Sequence, residues 1–189
     1  QIIEHGKPLQ KVLAETPKPQ GSEVLVRITR AWTGPGINHA DSPALAVGMH
    51  ILGGLASSRF DKVLVRDEQL AVSASAGMYA FQRVGIFTVS ATVKPAVDPA
   101  LVEKRLDELV AQYIAEGPTE AEVQRAALRE VGGRVRGLEQ VGGFGGKAVA
   151  LAQGQLYAND PNFFRKQLDE YARVTPAQVQ TAFRQYLTA

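Results

Sequence analysis

Residues 70–95 read LAVSASAGMYAFQRVGIFTVSATVKP. Two apolar or alternating runs, Leu70 to Tyr79 and Val84 to Lys94, flank the short break Ala80-Phe81-Gln82-Arg83. That pattern predicts adjacent strands joined as a hairpin. Upstream, Val24, Val26 and Ile28 alternate with Leu25, Arg27 and Thr29, the period of a strand rich in β-branched residues, and Thr33-Gly34-Pro35-Gly36 ends it. Between these strands Asp41-Ser42-Pro43 opens a helix carried by Leu45, Val47, Met49 and Leu52 to a glycine stop at Gly53-Gly54. Ser57-Ser58 caps a second, short helix through Phe60, Val63 and Leu64.

After Pro95 the pattern is helical throughout. Asp98-Pro99 caps a helix with apolar positions at Leu101, Leu106, Leu109, Val110 and Ile114, ending at Gly117-Pro118. Thr119 and Glu122 form a capping box for the next helix, through Leu128. A glycine-dotted stretch from Gly132 to Gly146 follows. Three more helices run over 148–156, 161–171 and 175–187. Strands come first and helices after, without βαβ alternation. The expected fold is α+β, with a mostly antiparallel sheet and helices packed on one face. Residues 1–20, with the amphipathic piece Leu9, Val12, Leu13 and then Pro17 and Pro19, read as a linker-like lead-in to a single domain over 1–189.

Composition narrows the chemistry. The 21 Lys+Arg against 19 Asp+Glu leave a net charge of +2, which makes no case for nucleic acid. The chain has no Cys, so disulfides, cysteine-ligated metals and thiol catalysis are excluded. No apolar run reaches the roughly 18 residues of a membrane span. The chain opens at Gln1, and the expectation is a piece of a longer protein.

No complete active-site motif appears. Gln1-Ile2-Ile3-Glu4-His5 is one residue from His-x-x-Glu-His, but Gln1 is a poor zinc ligand and Gly6 and Pro8 oppose the helix that motif needs. His50 lies in an apolar helix and reads as a core or edge residue, and His39 as a surface residue in a turn. Gly142-Gly143-Phe144-Gly145-Gly146-Lys147 lacks the Ser/Thr of a phosphate loop, having Ala148, and reads as a turn between helices where backbones approach closely. Asp98 and Asp160, each before a proline, are helix caps. No catalytic and no metal-ligating residue is assigned.

The order of segments resembles the C-terminal, non-zinc domain of the pitrilysin/insulinase family of zinc metallopeptidases, which includes the mitochondrial processing peptidases. The resemblance rests on Asp41-Ser42-Pro43-Ala44-Leu45, Leu52-Gly53-Gly54, Ser57-Ser58-Arg59 and Leu70-Ala71. Val141 to Ala148 with Asn159-Asp160-Pro161, and the closing Val174 to Gln180 helix ending in Tyr186-Leu187, agree with it. The family implies two similar halves closing around a peptide. One holds zinc through His-x-x-Glu-His and a distant Glu, and the other supplies an Arg/Tyr pair near the scissile carbonyl, where fixed donors stabilise the oxyanion.

Aligned on Leu70-Ala71, the resemblance puts Val65 where the Arg belongs and Val72 where the Tyr belongs, and neither can donate a hydrogen bond. Arg66 falls one position late. The implied role is a non-catalytic half that closes the chamber and supports peptide, binding no cofactor itself, with zinc in the other half of the parent enzyme. Gly53, Gly54, Ser57, Ser58 and Arg59 stand where relatives carry a glycine-rich substrate loop and are the candidate peptide contacts, while Ser57-Ser58 as a plain helix cap remains the alternative. The implied partners are an N-terminal zinc-bearing half or a homologous subunit supplying Arg/Tyr. A subunit inactive throughout is a second possibility, and a stand-alone peptide-binding scaffold using its sheet edge a third. The compartment is open, with the bacterial periplasm implied by resemblance alone.

Overall fold

The computed structural model describes residues 12–15, as backbone, together with 25–143 and 145–187. Strands β1 (Val12–Glu15), β2 (Val26–Gly34), β3 (Ala71–Ala80) and β4 (Gly85–Val93) form one antiparallel sheet in the order β1-β2-β4-β3. The predicted hairpin is therefore present as β3–β4. The lead-in contributes β1, paired with β2 from Val12↔Thr29 to Glu15↔Val26. The readings placed on Gln1 to His5 and on Leu9 lie outside the described residues.

Strands β2 and β4 bury alternate residues on one face. Ile28 and Trp32 of β2 and Phe87, Val89 and Ala91 of β4 are buried together. The helices α1 (Ser42–Leu52), α2 (Pro99–Glu116), α3 (Glu120–Gly137), α4 (Lys147–Ala158), α5 (Phe163–Ala172) and α6 (Pro176–Tyr186) follow, with a π-helical segment, Asp61–Asp67, between α1 and β3. Helix α1 is the central one. It is apolar around most of its circumference and nine of its eleven residues are buried, as a helix enclosed by other elements must be. Gly48 lets it approach α6, because a Cβ there would sit 2.2 Å from Phe183 Cε2. Tyr113 of α2 completes this layer, edge-on to Phe183 at 5.0 Å with its hydroxyl donating to the Gly48 carbonyl at 3.4 Å.

Capping signals hold at three helices, whereas Asp41 makes no side-chain cap bond at α1 and α5 starts at Phe163 with Asn162, not Asp160, at its cap. Asp98 accepts from the Ala100 amide at 2.9 Å, Thr119 and Glu122 form the predicted box, and Thr175 forms a second with Gln178. The apolar assignment at Leu101 fails. The buried stripe of α2 runs Val102, Leu106, Leu109, Val110, Tyr113, and Leu101, one residue off that stripe, is exposed, as is Leu128 on α3. Helix α3 also runs on through Gly132 and Gly133 to Gly137, where the sequence reading has a glycine-dotted break. Between α3 and α4, Gly143 and Gly145 have φ of 83° and 90°, and a Cβ on Gly146 would lie 2.4 Å from the Gly142 carbonyl oxygen, the close backbone approach expected of these glycines.

Candidate functional site

The glycine stop of α1 lies against β3. Gly53 is buried, and a Cβ there would lie 2.4 Å from the Ala76 nitrogen. Gly54 turns the chain at φ 121° and is exposed, as is Ser57. Ser58 is buried, and its hydroxyl faces the Asp61 amide at 3.5 Å while its carbonyl accepts from the Lys62 amide at 3.0 Å, the position of a helix cap. Phe60 and Leu64, both fully buried, fix the following helical segment to the core.

Arg59 points inward as well. Its Nε and Nη2 donate to the two carboxylate oxygens of Glu122, each at 2.9 Å, Nη2 also reaches the Gly117 carbonyl at 3.1 Å, and the guanidinium lies 4.8 Å from the centre of the Tyr113 ring. A planar fork matched to a carboxylate is the strong form of such a pair. The Arg59 hydrogen bond, with the Thr119 amide and hydroxyl adding to it, lowers the Glu122 carboxyl to about 2. Burial pushes the Tyr113 hydroxyl well above its ordinary value. Of the five candidate contacts, Gly54 and Ser57 present themselves to solvent, while Gly53, Ser58 and Arg59 hold the scaffold together.

The two valines differ. Val65, in the π-helical segment, is half-buried against the core, whereas Val72 is 51% exposed. Val72 is the extra residue of a β-bulge, since Ala71 pairs with Val93 and Ser73 with Thr92. Bulges re-aim the side chain they carry. Arg66 does not replace the missing arginine: it is exposed and pairs with Asp61 at 3.2 Å.

From Ser73 onward β3 contributes to the second face of the sheet. The register sets Ser73, Thr92 and Arg27 in one row, Ser75, Ser90 and Thr29 in the next, then Gly77, Thr88 and Ala31, then Tyr79, Ile86 and Thr33. Ser75 and Ser90 hydrogen-bond across the strands at 2.9 Å, and Arg27 Nε donates to Thr92 Oγ1 at 3.4 Å. This surface is made of short, mostly hydroxyl-bearing side chains. The helices lie on the opposite face, where Arg30 of β2 reaches Glu103 and Asp107 of α2.

A charged network, not legible in the sequence, ties α1 to α3 and α5. His50 Nε2 donates to Glu130 at 2.9 Å, Arg134 donates to the same carboxylate at 2.7 Å and to the Tyr171 hydroxyl at 2.9 Å, and its guanidinium stacks 4.5 Å from the Tyr171 ring centre. Burial opposes ionisation of Glu130, but His50 and Arg134 prevail and lower it to about 2. His39 is exposed in its turn, its Nδ1 accepting from the Asp41 amide at 3.2 Å. Among the described residues no three His, Asp or Glu side chains are grouped to hold a metal ion, so this donor set does not fit zinc. Nor is any described helix long and apolar enough to cross a membrane.

A family model for the peptidase M16 inactive domain matches residues 4–129. No curated protein sequence matches the chain. Solved structures share its fold. A protease from Helicobacter pylori is 19% identical with a TM-score of 0.75, over 87% of this chain and 39% of that one. An inactive peptidase domain from Bordetella parapertussis is 19% identical with a TM-score of 0.73, over 87% of each chain. The periplasmic protease PqqL from Escherichia coli is 16% identical with a TM-score of 0.66, over 86% of this chain and 18% of its own. The chain thus spans well under half of the Helicobacter and Escherichia proteins and nearly all of the Bordetella domain.

Proposed function

This chain belongs to the peptidase M16 inactive-domain family, and from that premise we propose that it is the non-catalytic half of a zinc metallopeptidase, closing the chamber and supporting peptide opposite a zinc-bearing half. The observation that carries the reading is the second face of the sheet. A sheet normally buries its apolar face and leaves the other polar, and here that other face carries Ser, Thr, Gly or Ala at nine of the twelve positions paired above, with Arg27 in its first row and Tyr79 and Ile86 in its last. The short hydroxyl side chains leave room for an extended peptide and offer it hydrogen bonds, with Arg27 the one charged residue in the paired rows.

The chain itself does no bond-breaking in this account. Val65 and Val72 replace the two groups that would polarise a scissile carbonyl, so the oxyanion donors come from the partner half or a partner subunit. Val72, bulged out beside Ser73, and the exposed pair Gly54 and Ser57 remain as surfaces for peptide contact. The likeness to a periplasmic protease supports an exported location, which fractionation of cells making the full-length protein tests directly.

Reconstitution with the zinc-bearing half tests the role. A Cβ at Gly77 meets nothing within 4 Å, so Gly77→Trp adds bulk to the outer face without clash inside the domain. Peptide cleavage by the reconstituted enzyme should lose at least about tenfold in kcat/KM with the melting temperature unchanged. Unaltered kcat/KM would remove the sheet face from the substrate path. Tight peptide binding by this chain alone, with no cleavage in any combination, would favour the stand-alone scaffold, with a peptide added at the edge of β3.

A further inference from the structure

A cavity of about 630 Å³ lies among α3, α4, α5 and the loop that joins β2 to α1, a size that suits a small ligand or one residue of a peptide. None of its walls comes from the sheet. Two glycines one turn apart on α3, Gly133 and Gly137, help make the space, and a Cβ on Gly133 would meet nothing within 4 Å. Glycine in a helix interior is destabilising relative to alanine. Gly133 is not required by any close contact or by a positive φ.

The walls mix apolar residues, Val149 from α4 and Phe163, Phe164 and Leu168 from α5, with polar ones such as Gln153 and Gln167. Three charged residues also line the cavity: Glu130, Arg134 and Arg136. The first two neutralise each other, because Arg134 donates to Glu130 at 2.7 Å. Arg136 makes no ion pair among the described residues and is the unpaired charge among the lining residues, while Arg165 and Lys166, outside the lining, lie 5.8 and 5.7 Å from the Phe164 and Phe163 ring centres. A ligand complementary to this has an apolar body and a single carboxylate.

We propose that this cavity binds the carboxy-terminal residue of a peptide, its apolar or aromatic side chain against Phe163, Phe164 and Leu168 and its free carboxylate on Arg136. The choice of a peptide end over a free organic acid rests on the reading that the chain serves a peptidase, since each hydrolysed bond creates a new carboxyl terminus. The site is separate from the outer sheet face, so either can fail without the other.

The test is calorimetric titration of the 189-residue chain with three probes: tetra-alanyl-phenylalanine, the same peptide as its carboxamide, and 3-phenylpropionate. The free peptide should bind at least about tenfold more tightly than the carboxamide, the worth of one charge-assisted hydrogen bond. Arg136→Gln should bring the free peptide down to the carboxamide's affinity. Gly133→Phe, which fills the cavity from α3, should abolish binding while the thermal melt stays cooperative. Equal affinity for peptide and carboxamide, no binding of the free peptide, or binding indifferent to Arg136→Gln would overturn the proposal. Binding of 3-phenylpropionate as tight as that of the free peptide would overturn the peptide assignment in favour of a small carboxylic acid.

Discussion

Glu122→Gln separates the two roles open to Arg59. Glutamine at this position still completes the capping box with Thr119, so the helix start is retained and the charge alone is removed. The pair is largely enclosed, with side-chain exposures of 24% for Arg59 and 20% for Glu122. A carboxyl held at about 2 in the folded chain against 4.5 in the unfolded one favours folding at neutral pH. At 1.36 kcal/mol per unit and after allowance for solvent screening, the contribution is about 2 kcal/mol. Because the folded value is depressed, that stability is fully present above pH 5 and is lost as the pH falls toward 2. Guanidinium unfolding at pH 7 should therefore show Glu122→Gln less stable by about 2 kcal/mol, and the difference should shrink toward zero by pH 2.5. Arg59→Ala should lose at least as much at pH 7, and the double variant little more than either single one. A gap between wild type and Glu122→Gln that persists unchanged at pH 2.5, or additive single variants, would refute the claim that Arg59 is held for structure.

Gly48→Ala should destabilise by about 1–3 kcal/mol, because its methyl would overlap Phe183 and Val179, as a urea melt would show. Glu130→Gln should flatten a further part of the acid transition between pH 5 and pH 2, since His50 and Arg134 hold that carboxyl low. At the degenerate pair, Val72→Tyr should change stability by no more than about 0.5 kcal/mol, since the residue is half exposed on a bulge. Val65→Arg should be the more damaging, by roughly 1–2 kcal/mol, because Val65 packs against the core. Elemental analysis of the purified chain should find no stoichiometric zinc, whereas zinc lost on Glu4→Ala or His5→Ala would give the N-terminal segment a metal site.

Local chemistry made much of the fold legible. Pro43 after Asp41, Asp98-Pro99, the Thr119 to Glu122 box and the alternation through β4 are short-range signals, and each marks an element that is present. The α3 extension was missed because Gly132 and Gly133 carry a low helix propensity, which the packing of Ala126 and Ala127 earlier in the same helix overrides. The candidate site was legible only as a stretch of chain. Sequence placed Ser57, Ser58 and Arg59 side by side but could not tell that Ser58 and Arg59 turn inward, because the partner of Arg59 lies 63 residues away. The network of His50, Glu130, Arg134 and Tyr171 is hidden for the same reason, and so is the bulge that exposes Val72.

The most direct test of the chamber-wall claim is a photo-crosslinking residue in place of Ser75, on the outer sheet face, in the enzyme reconstituted with its zinc-bearing half and a slowly cleaved peptide. Irradiation should attach the peptide to this position, and the same probe at the exposed Leu156 of α4 should not capture it. Peptide captured at Leu156 but not at Ser75 would contradict the account.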